Sequence, residues 1–117
     1  MKYYSTNKQA PFASLEEAVV KGLASDKGLF MPESIQPIDK DVITDLKNKT
    51  FHEIACTVAQ AFFGQDIEPD TLNEIVKDTL SFETPVVNVR DNIYSLELFH
   101  GPTLAFKDVG ARFMARL

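Results

Sequence analysis

Apolar residues recur at helical spacing through roughly the first eighty positions. Two capping boxes, Ser14–Glu17 and Thr50–Glu53, mark where two helices begin. Pro69 marks the start of another, and a short helix is expected near Asp39. The pattern predicts a small helical unit with an extended lead-in over residues 1–12. The apolar stripes are Leu15, Ala18, Val19 and Leu23; Val42, Ile43 and Leu46; Phe51, Ile54, Ala55, Val58 and Phe62; and Leu72, Ile75, Val76 and Leu80.

The period changes from helical to alternating after Pro85. The segments Val86–Val89 and Ile93–Leu98 have the composition of strands, and the residues between them, 90–92, have that of a turn. A final helix is expected from about Thr103. The pattern therefore predicts a β-hairpin followed by the start of a helix.

The stripe of this last helix has no stop signal. No Gly, Asn or Pro follows it, so we expect the helix to continue to the last residue and the chain to be the front part of a longer protein. An apolar face left uncovered favours self-association or local disorder. Its members are Phe106, Val109, Gly110, Phe113 and Leu117.

Composition and charge narrow the class of protein. The net charge is −5 and no basic run is present, which argues against a nucleic-acid or anionic-membrane surface. Cys56 is the single cysteine, so no internal disulfide can form and a reducing compartment is expected. The opening residues are polar, unlike a signal peptide, and no apolar run reaches membrane-spanning length. These features predict a cytoplasmic protein.

Lys107 is the strongest candidate for chemistry. It lies just inside the predicted last helix, where the positive end of the helix dipole disfavours the ammonium form. Burial beside Leu104 and Phe106 is expected to act in the same direction. A neutral amine is what imine formation with an aldehyde needs. The alternative is a surface lysine that pairs with an acidic side chain.

The neighbours of Lys107 have structural as well as functional interpretations. Asp108 is spaced to pair with Arg112 one turn later. Thr103 is expected to be the helix N-cap rather than a catalytic hydroxyl. His100, on the preceding loop, is a second candidate for ligand contact, but packing against the turn is the favoured interpretation.

Metal and phosphate sites have little support in the sequence. His52 and Cys56 are one helical turn apart but have no third ligand nearby, so a buried cysteine and a half-exposed histidine are expected and no metal. The five glycines form no glycine-rich phosphate-binding loop.

Three segments, in order, resemble threonine synthases. The run ELFHGPTLAFKDVGARFMARL, residues 97–117, closely resembles the pyridoxal-phosphate lysine segment of that family. Lys21–Pro32 is similar to the family's KGLA-x-D-x-GLF-x-P stretch, and the opening Lys2–Thr6 resembles its start. The tripeptide F-K-D by itself would be weak evidence for this family, whereas the string FHGPTLAFKD together with GLFMP is specific for it.

The resemblance implies an α/β parent enzyme of pyridoxal-phosphate fold type II. Residues 1–82 would be its mostly helical N-terminal domain, and residues 83–117 the beginning of the cofactor-binding domain. Lys107 would bind pyridoxal phosphate covalently and transfer protons on the substrate carbons. Phe106 and Asp108 match the family's motif beside the lysine and would position it and the cofactor.

The family converts O-phospho-L-homoserine and water to threonine and phosphate. In that family the phosphate-binding loop and the ring-nitrogen contact lie downstream of the lysine, so this chain is expected to be inactive alone and to bind the cofactor poorly. A related pyridoxal-phosphate lyase, such as a dehydratase or cysteine synthase, is the alternative enzyme. A non-catalytic helical interaction module is the alternative outside enzymes.

Overall fold

Five α-helices and two two-stranded antiparallel sheets make up the computed structural model, which describes residues 1–117. Two compact units, Met1–Glu74 and Ile75–Leu117, contain these elements. None of the helices is long and apolar enough to cross a membrane. In chain order the elements are β1 (Tyr3–Ser5), α1 (Leu15–Lys21), β2 (Phe30–Pro32), α2 (Lys40–Thr44), a 3-10 turn (Leu46–Asn48), α3 (Phe51–Phe63), α4 (Pro69–Thr79), β3 (Val86–Arg90), β4 (Ile93–Leu96) and α5 (Lys107–Met114).

The predicted helix starts in the first unit are confirmed. Ser14 and Thr50 each accept a hydrogen bond from the backbone N–H three residues later, and the glutamate there accepts one from the backbone N–H of the cap. Asp39 caps α2 by accepting a hydrogen bond from the N–H of Asp41 at 3.0 Å. These side chains satisfy N–H groups that a helix start leaves without a partner, and so define where α1, α2 and α3 begin.

The lead-in of the first unit is part of a sheet. β1 pairs antiparallel with β2 in the register Tyr3↔Pro32, Tyr4↔Met31, Ser5↔Phe30. A further bridge joins Tyr3 to Ala13. The pairing brings the two ends of the segment around α1 together, which local sequence patterns cannot indicate.

The apolar stripes differ in how deeply they are buried. In α4, Leu72 has no exposed surface and Val76 is 3% exposed, as the stripe predicts. In α3 the predicted stripe is wrong in part, because Phe51 and Val58 are exposed and Ala59 is the buried residue of the helix. Helical periodicity locates an apolar face, but packing decides which part of that face is covered.

The predicted hairpin of the second unit is confirmed, although its second strand ends at Leu96 and not at the predicted Leu98. β3 pairs antiparallel with β4, with an irregularity between Asn88 and Arg90. Arg90 therefore belongs to β3, and the turn is shorter than the predicted 90–92. All residues of β3 are exposed.

The last helix is shorter than predicted at both ends. α5 begins at Lys107 rather than near Thr103, because Leu104 adopts the left-handed conformation with φ 57°, which an α-helix excludes. It ends at Met114, where the N–H of Ala115 donates to Ala111 and Phe113. The prediction that the helix continues to the last residue is therefore wrong.

Candidate functional site

Lys107 is the first residue of α5, and its side chain is exposed. Its ammonium group has no ion-pair or hydrogen-bond partner, whereas Lys21 pairs with Glu17 and Lys49 with Asp45. The alternative is therefore right that Lys107 lies at the surface and wrong that it pairs with an acid. An unpaired amine at the surface is sterically free to react with an aldehyde.

The apolar neighbours of Lys107 do not bury it. Leu104 is 75% exposed and Phe106 is 68% exposed, so the expected shielding by these two side chains is wrong for this chain. Both belong to the turn that precedes α5, and neither is part of the buried core. Their exposure leaves apolar surface beside the amine.

Asp108 lies on the inner side of the same turn and is 4% exposed. Its Oδ1 accepts a hydrogen bond from the Thr103 hydroxyl at 2.6 Å, and its Oδ2 accepts one from the Thr103 N–H at 2.9 Å. The bond from the Thr103 hydroxyl is the main factor that lowers the pKa of the Asp108 carboxyl. Thr103 is therefore a donor to Asp108 and not the predicted N-cap, a position that Phe106 occupies without a side-chain bond.

Arg112 does not form the predicted ion pair with Asp108. Its guanidinium donates to the backbone carbonyls of Asp78 and Thr79, at 2.7 and 3.2 Å, and to the Ser81 hydroxyl at 3.0 Å. These bonds satisfy carbonyl groups at the C-terminal end of α4, where a positive charge is favourable. α5 is thereby tied to the end of α4 within the second unit.

His100 packs against its own loop. Its Nε2 lies 2.7 Å from Glu97 Oε2, and its ring stacks on Phe99 with 4.7 Å between ring centroids. This geometry agrees with the favoured interpretation of His100 as a residue that packs the turn.

The expected environments of His52 and Cys56 differ from those in the structure. Cys56 is half-buried rather than buried, and His52 is exposed. Both lie on α3, whose apolar face is only partly covered. The structure contains no group of three or more His, Cys, Asp or Glu side chains arranged to hold a metal ion.

Asp26 was not singled out as a site residue, yet it organises the loop between α1 and β2. Its carboxylate accepts hydrogen bonds from the Ser5 hydroxyl at 2.6 Å and from backbone N–H groups. The bond from Ser5, together with these N–H groups, lowers the pKa of Asp26 to about 2. An Asp-x-Gly spacing was the available signal. The backbone donors are Gln9, Ala10 and Gly28, at 2.9, 3.0 and 3.0 Å.

The family model and the most similar curated proteins that the comparison found are all threonine synthases. The family model described as threonine synthase N terminus matches residues 2–80. Threonine synthase from Escherichia coli (strain K12) is 38% identical over 117 residues, which is all of this chain and 27% of that protein. Threonine synthase from Schizosaccharomyces pombe is 39% identical over 123 residues, covering all of this chain and 24% of that protein.

Solved structures agree with the sequence comparisons. The crystal structure of the Escherichia coli threonine synthase matches with a TM-score of 0.90 over 99% of this chain and 27% of that one. A pyridoxal-phosphate-bound threonine synthase from Brucella melitensis matches with a TM-score of 0.89 at 37% identity, over 99% of this chain and 26% of that one. The chain thus spans about a quarter of the length of the relatives it matches. The resemblance predicted from the three motifs is confirmed, and the chain belongs to the threonine synthase N-terminus family.

Proposed function

We propose that this chain is the N-terminal part of a threonine synthase, which converts O-phospho-L-homoserine and water to L-threonine and phosphate with pyridoxal phosphate as cofactor. The observation that carries the proposal is the similarity along nearly the whole chain to a threonine synthase with that cofactor bound. Fold type II for the complete enzyme, a domain boundary near residue 82 and a cytoplasmic location belong to the same proposal. The single cysteine is free, which suits a reducing compartment.

Lys107 is proposed as the residue that binds the cofactor and transfers protons on the substrate carbons. Its exposed, unpaired amine fits a covalent link to an aldehyde, so this part of the chain is compatible with the group. The bound cofactor would supply the electron sink for carbanion chemistry. The amine would supply the base and the acid, because it lies where a substrate can reach it.

Phe106 and Asp108 have different parts in the proposal. Phe106 is largely exposed, so its ring is available to contact the cofactor or the substrate. Asp108 is buried and both of its carboxylate oxygens accept hydrogen bonds from Thr103, which supports a positioning role and not direct contact with the cofactor.

The isolated chain is proposed to be inactive and to bind the cofactor poorly. The chain spans about a quarter of its relatives, and its five glycines form no phosphate-binding loop. Self-association through the apolar surface around α5 is also proposed. The large apolar side chains exposed there are Leu104, Phe106, Met114 and Leu117. Of the predicted stripe, Val109 and Phe113 are half-buried.

A chimera tests the assignment of Lys107. Residues 1–117 replace the matching quarter of the Escherichia coli threonine synthase, and the protein is incubated with pyridoxal phosphate, reduced with borohydride and mapped by peptide mass spectrometry. We expect the adduct on Lys107. Lys107→Ala should remove it and lower threonine formation at least about a hundredfold, because the proton-transfer group is lost.

Lys77 provides the matched control, since it is an exposed lysine of the same unit. Lys77→Ala is expected to keep both the adduct and the turnover. Normal turnover of O-phospho-L-homoserine by the Lys107→Ala chimera would contradict the proposal. An adduct on another lysine in place of Lys107 would do so as well.

A further inference from the structure

The loop before α5 is held in an unfavourable conformation. Leu104 has φ 57°, a region that bulky residues rarely adopt, and yet its side chain is 75% exposed and gains little from packing. Such a conformation persists only where surrounding contacts impose it. Two backbone bonds close the turn, from Leu104 N–H to the Gly101 carbonyl and from Asp108 N–H to the Ala105 carbonyl, each 3.0 Å long.

The contacts that impose this conformation converge on Asp108. Both of its oxygens accept hydrogen bonds from Thr103, five residues earlier, so the carboxylate closes the loop on itself. Gly101 packs directly on this carboxylate, and a Cβ at that position would lie 2.7 Å from Asp108 Cβ. The glycine is needed for space, because any larger residue would displace the acid.

Asp108 and Lys107 are adjacent in sequence but differ in exposure. The acid is buried within the loop and the lysine is exposed, as expected for neighbours about 100° apart around a helix. A carboxylate with a fixed position therefore also fixes the rotation of the first turn of α5. That rotation determines the direction in which Lys107 leaves the helix.

We propose that Asp108, locked by Thr103 against Gly101, is a positioning residue that starts α5 at Lys107 and sets the direction of its amine. The inference rests on the proposed function for the identity of Lys107 as the reacting group. The lock itself is a property of residues 101–108 and can be tested without cofactor.

Amide hydrogen exchange of the 117-residue chain, followed by NMR, tests the lock. Thr103→Val removes the hydroxyl donor and keeps the shape of the side chain. We expect the amides of Leu104 and Asp108 to exchange at least about tenfold faster in this variant. Lys107 should also lose its helical Cα chemical shift.

Thr103→Ser keeps the donor and is expected to behave as the unsubstituted chain. Thr71→Val, at an exposed threonine of α4, is the matched control, and the amide of Leu80 reports on the rest of the second unit. Unchanged exchange of Leu104 and Asp108 in Thr103→Val would overturn the lock. Equal acceleration in Thr103→Ser would overturn it too, because the hydroxyl would then not be the cause.

The chimera distinguishes an effect of Thr103 on the position of the Lys107 amine from an effect on the stability of the loop alone. The rate at which Lys107 captures pyridoxal phosphate is measured by absorbance. Thr103→Val should lower this rate about tenfold or more, because a reaction slows steeply when the reacting group is displaced. Capture at saturation should still occur on Lys107. An unchanged capture rate overturns the positioning role. Absence of capture by the unsubstituted chimera contradicts the proposed function and leaves the exchange result standing.

Discussion

At the scale of single residues, Asp26 shows how one carboxylate orders a loop. Its four donors come from both sides of α1 in the chain, so one side chain joins the segment after β1 to the segment before β2. All four donors favour the ionised carboxylate over the protonated form. The stability that Asp26 contributes must therefore depend on pH.

The direction of this pH dependence follows from the pKa of Asp26, which folding lowers to about 2 from an ordinary value of 3.8. The stabilisation by Asp26 is fully present above pH 3.8, and it is lost as the pH falls through the pKa of the folded state. We expect the thermal midpoint of the chain to fall more steeply between about pH 4 and about pH 2 than that of Asp26→Asn, measured by circular dichroism. Asp91→Asn, at an exposed acid of the β3–β4 turn, should follow the unsubstituted profile. Coincident profiles for Asp26→Asn and the unsubstituted chain would contradict this account.

Lys107 could be proposed from the sequence, but its surroundings could not. The motif around it is local and specific, so the residue stands out without a structure. Its exposure and the engagement of Asp108 with Thr103 belong to a loop in which Leu104 is left-handed, a conformation that no local propensity favours. The expected burial by Leu104 and Phe106 was wrong for the same reason.

At the scale of elements, the helix starts are the best-determined features. A capping box involves only two residues that lie three positions apart, so the sequence shows it directly and the structure retains it. For Thr50→Ala we expect a loss of about 1 kcal/mol in the free energy of unfolding, measured by urea denaturation. Thr50→Ser keeps an oxygen that accepts the Glu53 N–H and should lose much less. A Thr50→Ala chain as stable as the unsubstituted one would show that the cap contributes nothing.

α5 shows where element prediction fails. Its apolar stripe suggested a start near Thr103 and a continuation to Leu117, whereas the helix covers Lys107–Met114. The bonds from Thr103 to Asp108 close a loop in place of the expected first turn. Hydrogen bonds from side chains to the backbone compete with helix formation in this way, and sequence alone does not show which will prevail.

At the scale of the whole molecule, the main feature is the amount of exposed apolar surface. Leu104, Phe106 and Met114 are each more than half exposed, and every residue of β3 is exposed. Exposed apolar side chains favour association in water. The chain is a member of a family whose full-length proteins are about four times longer, and that longer context is where we propose the lysine functions.

Multi-angle light scattering over a range of concentrations tests the association. We expect the mean mass of the chain to rise with concentration, and the Leu104→Asn/Met114→Gln double variant to need at least about tenfold higher concentration for the same mass. Asn suits the positive φ at position 104. Val20→Gln, at an 80% exposed position of α1, is the control outside this surface. A mass that does not change with concentration would contradict self-association.

The sequence by itself determined the N-caps of α1, α2 and α3, the hairpin, the family resemblance and the candidate lysine. Each depends on residues a few positions apart or on a contiguous motif, so local chemistry suffices. Tertiary structure decided the β1–β2 pairing, which residue of the α3 stripe region is buried, and the lock between Thr103 and Asp108. These depend on which distant or turn-forming groups meet, and that is settled only when competing hydrogen bonds and packing are satisfied together.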